Sequence, residues 1–442
     1  MGPRPRPRAA ACRPQQPRYA NGGPDVGQLI RGLDDAALRD RVAQATASYF
    51  LDWSHPASGM ARERSAGSFG YDVAETVCTG GTGFGLLAQI VAAERGWRSR
   101  REILDRVERI VNFLETADRF DGVFPHFLDG ATGRVLPFMA GDDGGDLVET
   151  AFLMTGLLGA AGYFIEAPEI GARIEALFEA VNWAAHLRAD GAVMWHRHPA
   201  RDWAPGALPI RGWNECLPVF VLGAGSDSHP LPAASYHDSW ATAPAFHNGQ
   251  TYGDTRLPLG PDWGGPLFLS QYPFLGIDPR GLRDAHADYW QQARAHALVN
   301  RHHCLANPQG WAGYGPNCWG LTASDDPGGY VAHSPTEDTG TITPTAALGS
   351  MPFVPDEAMP VLRHLHDDLG DRLWGEAGFV DAFCPAHDWV AESRLAIDQA
   401  PIVIGLENLR SGLIWDVVSA RPQIRRGLAR LGFTAPYLTP SV

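Results

Sequence analysis

Positive charge is in short supply in this chain. Lys and Arg number 36 against 50 Asp and Glu, a formal net charge of −14 over 442 residues. Nucleic acids and anionic membrane surfaces are held through basic patches, so neither is the expected partner. Cysteine is sparse as well: Cys12, Cys78, Cys216, Cys304, Cys318 and Cys384 are scattered, with no CxxC pair. That spacing favours free thiols packed as small apolar residues in a reducing compartment over a disulfide framework. No apolar run reaches membrane-spanning length, and the basic, Pro-rich N-terminus lacks the apolar stretch of a signal peptide. A cytoplasmic location is the expectation, with secretion the alternative should the true N-terminus differ.

Several catalytic signatures are missing too. Ser226 and Ser228 have no GxSxG context, which argues against a serine hydrolase. GTGFG at 81–85 has no apolar strand before it and no Lys or Thr in the right place after it, so it predicts a helix packing tightly through small residues, not a nucleotide loop. His196 and His198 in WHRHP, and His302 and His303 in NRHHC, lack i, i+4 spacing and an obvious third ligand. They are expected to be structural or substrate-contacting and not metal ligands.

What is present is a core and a supply of aromatics. The chain is 45% hydrophobic and 19% charged, enough to bury one large domain over 25–435, between a flexible Pro/Arg-rich tail at 1–24 and a short C-terminal tail at 436–442. Helical spacing recurs at 26–53, 76–95, 100–115, 147–164, 168–188, 213–222, 278–303, 343–350, 355–369, 391–409 and 420–431; the clearest stripe is Ile103, Leu104, Val107, Ile110, Val111 and Leu114. Strand-like alternation is confined to short pieces such as 121–128 and 193–196. The long connections at 225–277 and 305–342 are unusual in a compact domain unless they build a site. The 14 Trp, 11 Tyr and 19 Phe, many beside Gly, Pro, Asn and Asp, suit a cleft that stacks on sugar rings, although for any single ring a core position is the commoner fate. A neutral oligo- or polysaccharide fits this balance.

The acids carry the chemistry. GDDGGDLVET at 141–150 sets Asp142, Asp146 and Glu149 at the mouth of an apolar helix, where amide groups and the positive dipole end stabilise acidic side chains. One acid there would serve as an ordinary N-cap; several beside three glycines exceed what capping needs. Glu215, in RGWNECLPVFVLG, leads straight into another apolar run. Asp398 stands in the otherwise apolar LAIDQAPIVIG, where burial would raise its pKa, and Asp325 lies in the aromatic-rich WGLTASDDPGGY, with a turn-forming role or ligand contact open to it. Paired carboxyls, one protonated and one ionised, point to glycoside hydrolysis.

The segments FPHFLDGATGR (124–134), GWNECLPVFVLGAGSDSHP (212–230), PLFLSQYPFLGIDPRGLRD (266–284), YGPNCWGLTASDDPGGY (314–330), GTITPTAALGSMPFVP (340–355), WGEAGFVDAF (374–383) and LAIDQAPIVIGLENLRSGLIW (395–415) resemble, in order, the glucoamylase-like proteins. The nearest group is glycoside hydrolase family 144, the β-1,2-glucanases. The resemblance implies an all-α (α/α)6 toroid, cofactor-free, inverting cleavage of β-1,2-glucan or sophoro-oligosaccharides, Glu215 as general acid, and Asp398 or Asp142 as base. It also implies that Asp146 and Glu149 hold sugar hydroxyls or tune their neighbours, and that Trp213, Asn214, Gln271, Tyr272, Tyr314, Trp319 and Asp325 contact substrate. The chain departs from the pattern at ETAFLMTG and at SQYPF, where Ser270 replaces a histidine. A glycosidase acting on another β-linked glucan, or a carbohydrate-binding protein without catalysis, is the alternative.

Overall fold

The computed structural model describes residues 27–67, 71–138, 142–201 and 207–438. The predicted N-terminal tail, Cys12, Gly141 and residues 439–442 lie outside the described residues. Helices dominate: α1 (Asp35–Asp52), α2 (Thr79–Glu94), α3 (Arg100–Leu114), α4 (Leu147–Tyr163), α5 (Pro168–Glu179), α6 (Leu217–Gly225), α7 (Tyr289–Ala306), α8 (Pro344–Gly349), α9 (Pro355–Arg363), α10 (Gly370–Leu373), α11 (Ala396–Arg410), α12 (Leu413–Ser419) and α13 (Pro422–Arg430).

Two kinds of helix are present, and their sequences explain why. Residues Thr79–Ala92 of α2, all of α6 and α8, and nearly all of α4 and α11 are buried. These helices are buried on nearly every side and form the interior. By contrast α3, α5, α9 and α13 bury one stripe, such as Ile103, Leu104, Val107, Ile110, Val111 and Leu114 on α3, and turn charged residues outward. Neighbours run in a chain, with α8 against α11, α11 against α2, α2 against α4, α4 against α6 and α6 against α13.

Close approach of α2 and α4 depends on the small residues of GTGFG, as their sequence context predicts. A Cβ on Gly83 would stand 2.1 Å from the Phe152 carbonyl oxygen, so the two backbones touch where a side chain would otherwise separate them.

Several helices begin later than the hydrophobic pattern suggests, because a capping acid decides the start. Asp34 accepts the Ala37 amide at 2.8 Å and α1 begins at Asp35, not near residue 26. Asp288 accepts the Gln291 amide at 3.0 Å, so α7 begins at Tyr289 and 278–288 is a loop. The predicted helix at 168–188 stops at Glu179, followed by a short 3-10 turn, Trp183–His186. Strands are few and short: Thr76–Cys78 pairs with Phe127–Asp129, which pairs with Val135–Leu136, and five two-stranded ladders stand apart. The connections 225–277 and 305–342 are not bare loops; they hold short helical turns and the hairpins Thr251–Arg256 and Ala323–Ala332. At the C-terminal end the Tyr437 hydroxyl donates to the Asp278 carbonyl at 2.8 Å, so 436–438 lie docked on the body. No helix among the described residues is long and apolar enough to cross a membrane.

Candidate active site

Of the acids singled out by sequence, Asp146 and Glu149 stand at the start of α4, Glu215 just before α6 and Asp398 in the first turn of α11. Asp146 is the last residue of the strand Gly145–Asp146 and the N-cap of α4; its Oδ1 accepts the amides of Val148 and Glu149 at 3.0 and 2.9 Å. Register in the ladder with His196–Arg197 puts His196 opposite Asp146. As a result Asp146 Oδ2 accepts from His196 Nε2 at 3.1 Å, His126 Nδ1 at 3.0 Å and Trp195 Nε1 at 3.3 Å. Burial alone would raise the Asp146 carboxyl, but His196 and His126 outweigh it and hold the group below the usual carboxylate range. Burial works against the charge on His126, yet Glu149 and Asp146 raise it to about 9.

Glu149, one turn into α4, accepts the Gly80 amide from the first turn of α2 at 2.7 Å. Only glycine permits this: a Cβ on Gly80 would lie 2.5 Å from the Glu149 carboxylate. Asp142 is 6% exposed, and neither of its carboxylate oxygens has a hydrogen-bond partner among the described residues; His196 Nε2 is 3.5 Å away. Burial raises its pKa.

Glu215 sits in the turn before α6, 8% exposed. Its pKa is raised to about 7, first by burial and then by the negative charges of Glu149 and Asp146. Among the described residues no arginine forms an ion pair with it. A carboxyl in that environment remains protonated near neutrality, as proton donation requires.

A second cluster surrounds α11. Asp398, 1% exposed in its first turn, takes the Tyr272 hydroxyl at 3.4 Å. Burial raises Asp398 well above the carboxylate range, and Asp381 adds to the shift. Asp325 holds the Arg64 guanidinium at 2.9 and 3.1 Å and accepts from Ser393, while Arg64 also meets Glu63 at 2.7 Å. Tyr272 joins the two clusters: the charges of Asp398, Glu215 and Glu149 all reach its hydroxyl, and its ring packs on Phe84 and Phe152.

The other residues expected to contact substrate have the following surroundings. Trp213 is buried with Trp240 stacked at 5.7 Å and Phe274 at 6.4 Å, so its faces are covered and unavailable to a sugar. Trp319 is wholly buried, with Nε1 donating to the Glu357 carbonyl at 3.3 Å. Gln271 Nε2 donates to the Ala346 carbonyl and Ser350 Oγ, both at 2.8 Å, while its Oε1 has no partner among the described residues. Tyr314 donates to Asp338 at 2.6 Å, in a network with His303. Asp325 lies in a strand and anchors Arg64 instead of making a turn or offering free oxygens. Asn214 accepts the Cys216 amide at 3.1 Å, shaping the entry to α6. Ser270, at the departure from the family pattern, binds His296 Nδ1 at 2.9 Å inside the core. Cys78, Cys216, Cys304, Cys318 and Cys384 are free and buried.

Sequence reasoning missed His126, Trp195 and Asp381, and it found no third ligand beside His196. Folding supplies candidates, since ligand atoms of His126, Asp142 and His196 come within 4.8 Å of one another. One nitrogen of each ring is bound by Asp146, at 3.0 Å for His126 and 3.1 Å for His196.

A family model described as "Putative glucoamylase" matches residues 207–422. A putative glucoamylase from Bacteroides uniformis is 45% identical, with a TM-score of 0.90 over 93% of this chain and 100% of that one. The endo-β-1,2-glucanase from Chitinophaga pinensis, solved with sophorotriose and glucose, is 42% identical with a TM-score of 0.89, over 92% of this chain and 100% of that one. The exo β-1,2-glucooligosaccharide sophorohydrolase (non-reducing end) of Parabacteroides distasonis is 34% identical over 438 residues, 93% of this chain. The chain spans 60% of the length of that curated relative.

Proposed function

Because the chain belongs to the glucoamylase-like family, in its β-1,2-glucanase group resembling glycoside hydrolase family 144, we propose that it hydrolyses β-1,2-glucosidic bonds of β-1,2-glucan or sophoro-oligosaccharides with inversion. Relatives named for that linkage, one solved with sophorotriose, support the substrate class. The succession of interior and covering helices supports an (α/α)6 toroid built as one domain over 25–435, with the acids at one end.

The observation that carries the reading is Glu215, a buried carboxyl with its pKa raised to about 7 beside two other acids. Glu215 gives its proton to the bridging oxygen, while a base on the opposite face takes a proton from the attacking water. Asp398 is the first candidate for base, supported by its burial and by its contact with the Tyr272 hydroxyl, which the charge of Glu215 also reaches. Asp142, with both oxygens unpartnered among the described residues, is the second. Asp146 and Glu149 tune Glu215 through their charge.

Incubation with linear β-1,2-glucan and sophoro-oligosaccharides, following reducing ends and the first anomer released, tests the proposal. The expected result is cleavage with release of the inverted anomer. No cleavage across a panel of β-linked glucans overturns it, and cleavage of another linkage alone assigns a different glycosidase.

A further inference from the structure

We propose that Phe138 is a substrate-binding, specificity-determining residue: its open ring face stacks on a glucose unit of the bound oligosaccharide that lies away from the bond being cleaved. The inference rests on the reading of the acid cluster as a β-1,2-glucan-hydrolysing site given above.

Phe138 comes two residues after the end of the short strand Val135–Leu136, in which Leu136 pairs with Phe127. That pairing brings the Phe138 ring onto the side chains next to the acids. One face lies on the His126 imidazole, centroids 4.4 Å apart and planes 10° from parallel, and Phe127 meets the ring edge-on at 5.6 Å. His126 is itself fixed, edge-on to Phe127 at 4.6 Å and with Nδ1 on Asp146 Oδ2 at 3.0 Å. Asp146 therefore orients His126, and His126 orients Phe138. A ring held in this way has little freedom left to lose when a ligand settles on it.

The other face is open. Among the described residues six large hydrophobic side chains are exposed, and only Phe138 and Tyr330 are aromatic. Phe138, 42% exposed, is the one in ring contact with a partner of Asp146. A scattered exposed aliphatic side chain needs no explanation, but a flat ring pinned beside an acid cluster is suited to a neutral sugar. β-Glucose carries its ring substituents equatorially, so each face of the pyranose is a set of C–H bonds. The electron-rich face of a phenyl ring attracts them, and no charge on either partner is needed.

Position decides which unit is held. A pyranose on the open face stands about 4 Å from the ring, on the side away from His126. The Phe138 and His126 rings then lie between it and Asp146, so the stacked unit is one further along the chain than the unit whose bridging oxygen Glu215 protonates. Longer oligosaccharides gain this contact most.

The test is kcat and KM on sophoro-oligosaccharides of increasing length for the wild type, Phe138→Ala, Phe138→Leu and Phe138→Trp, with thermal unfolding of each in parallel. In Phe138→Ala, KM for the longer substrates should rise about tenfold with kcat little changed, and the rise should shrink toward the shortest substrate cleaved. Phe138→Trp should keep the wild-type KM, whereas Phe138→Leu, apolar but without a flat face, should behave as the alanine variant. A wild-type KM in Phe138→Ala at every length overturns the proposal, and so does a KM that Phe138→Leu restores. A rise of equal size at every length overturns the distal position. If Phe138→Ala fails to fold, the leucine and tryptophan variants decide, and equal KM values in the two overturn the stacking. No cleavage of β-1,2-linked substrate by the wild type overturns both readings, whereas cleavage with an unmoved KM in the variants overturns this one alone.

Discussion

Gly83 on α2 and Gly156 on α4 meet with no side chain between them: a Cβ on Gly156 would stand 2.0 Å from the Gly83 carbonyl oxygen, and one on Gly83 2.1 Å from that of Phe152. The contact lies in the helix pair that carries both partners of the Glu149–Gly80 hydrogen bond. Gly83→Ala must therefore push α2 from α4, overpacking a core with no slack, at a cost of about 1 to 3 kcal/mol. Urea unfolding checks this. A midpoint within error of wild type would mean that the helices can separate freely.

That glycine contact was legible from GTGFG, as was the cluster at the start of α4, because capping and spacing act over a few residues. His126 and His196 were not legible as its partners. They lie 20 and 50 residues from Asp146, and only the strand pairings bring them in. Asp381 sits in a recognisable segment, but nothing local in WGEAGFVDAF marks an acid that will be buried against the Asp325 amide. Trp213 and Trp319, expected to contact substrate, are buried, and composition cannot say whether a ring lines a cleft or fills the interior. Helix starts at Asp35 and Tyr289 slipped because a single capping acid outweighs several apolar residues continuing the period upstream.

Trp319 gives that distinction a measurement. Its indole is fully enclosed and donates to the Glu357 carbonyl. Trp319→Ala should lower stability by about 3 to 5 kcal/mol, with KM for the folded enzyme unchanged. A KM rise of tenfold or so without loss of stability would return the ring to the substrate site.

Asp146 compensates two imidazoles and one helix end. Asp146→Asn keeps a capping oxygen for Val148 and Glu149 but removes the anion facing His126 and His196. Breaking a buried ion pair of this kind costs about 3 kcal/mol or more. The sign with pH follows from the shifts. Asp146 is lowered, so its contribution is present above the ordinary aspartate range and lost as pH falls through its depressed value. His126 is raised to about 9, so its contribution is full below its ordinary 6.5 and lost as pH rises through about 9. Thermal unfolding of wild type and variant should differ most between those limits; a constant difference from acid to alkali would count against the ion pair.

Glu215→Gln separates catalysis from stability in one residue. The amide cannot donate the proton, so kcat should fall by about two to four powers of ten while oligosaccharide affinity persists, since proton donation operates only toward the transition state. In the wild type, activity should fall as pH rises through about 7, where Glu215 ionises. Stability moves in a related way. Glu215 is raised from 4.5 to about 7, so the folded state binds its proton more tightly than the unfolded chain does. The protonated group is accommodated without penalty below 4.5, and that advantage is lost as pH rises through about 7. Above that point the buried charge costs about 3 kcal/mol, at roughly 1.4 kcal/mol per unit. The glutamine variant carries no such charge, so it should be the more stable protein at about pH 8 and gain nothing near pH 4. Equal stability at both values would place the Glu215 carboxylate in contact with water or a cation, and a group so placed could not keep its proton for the bridging oxygen.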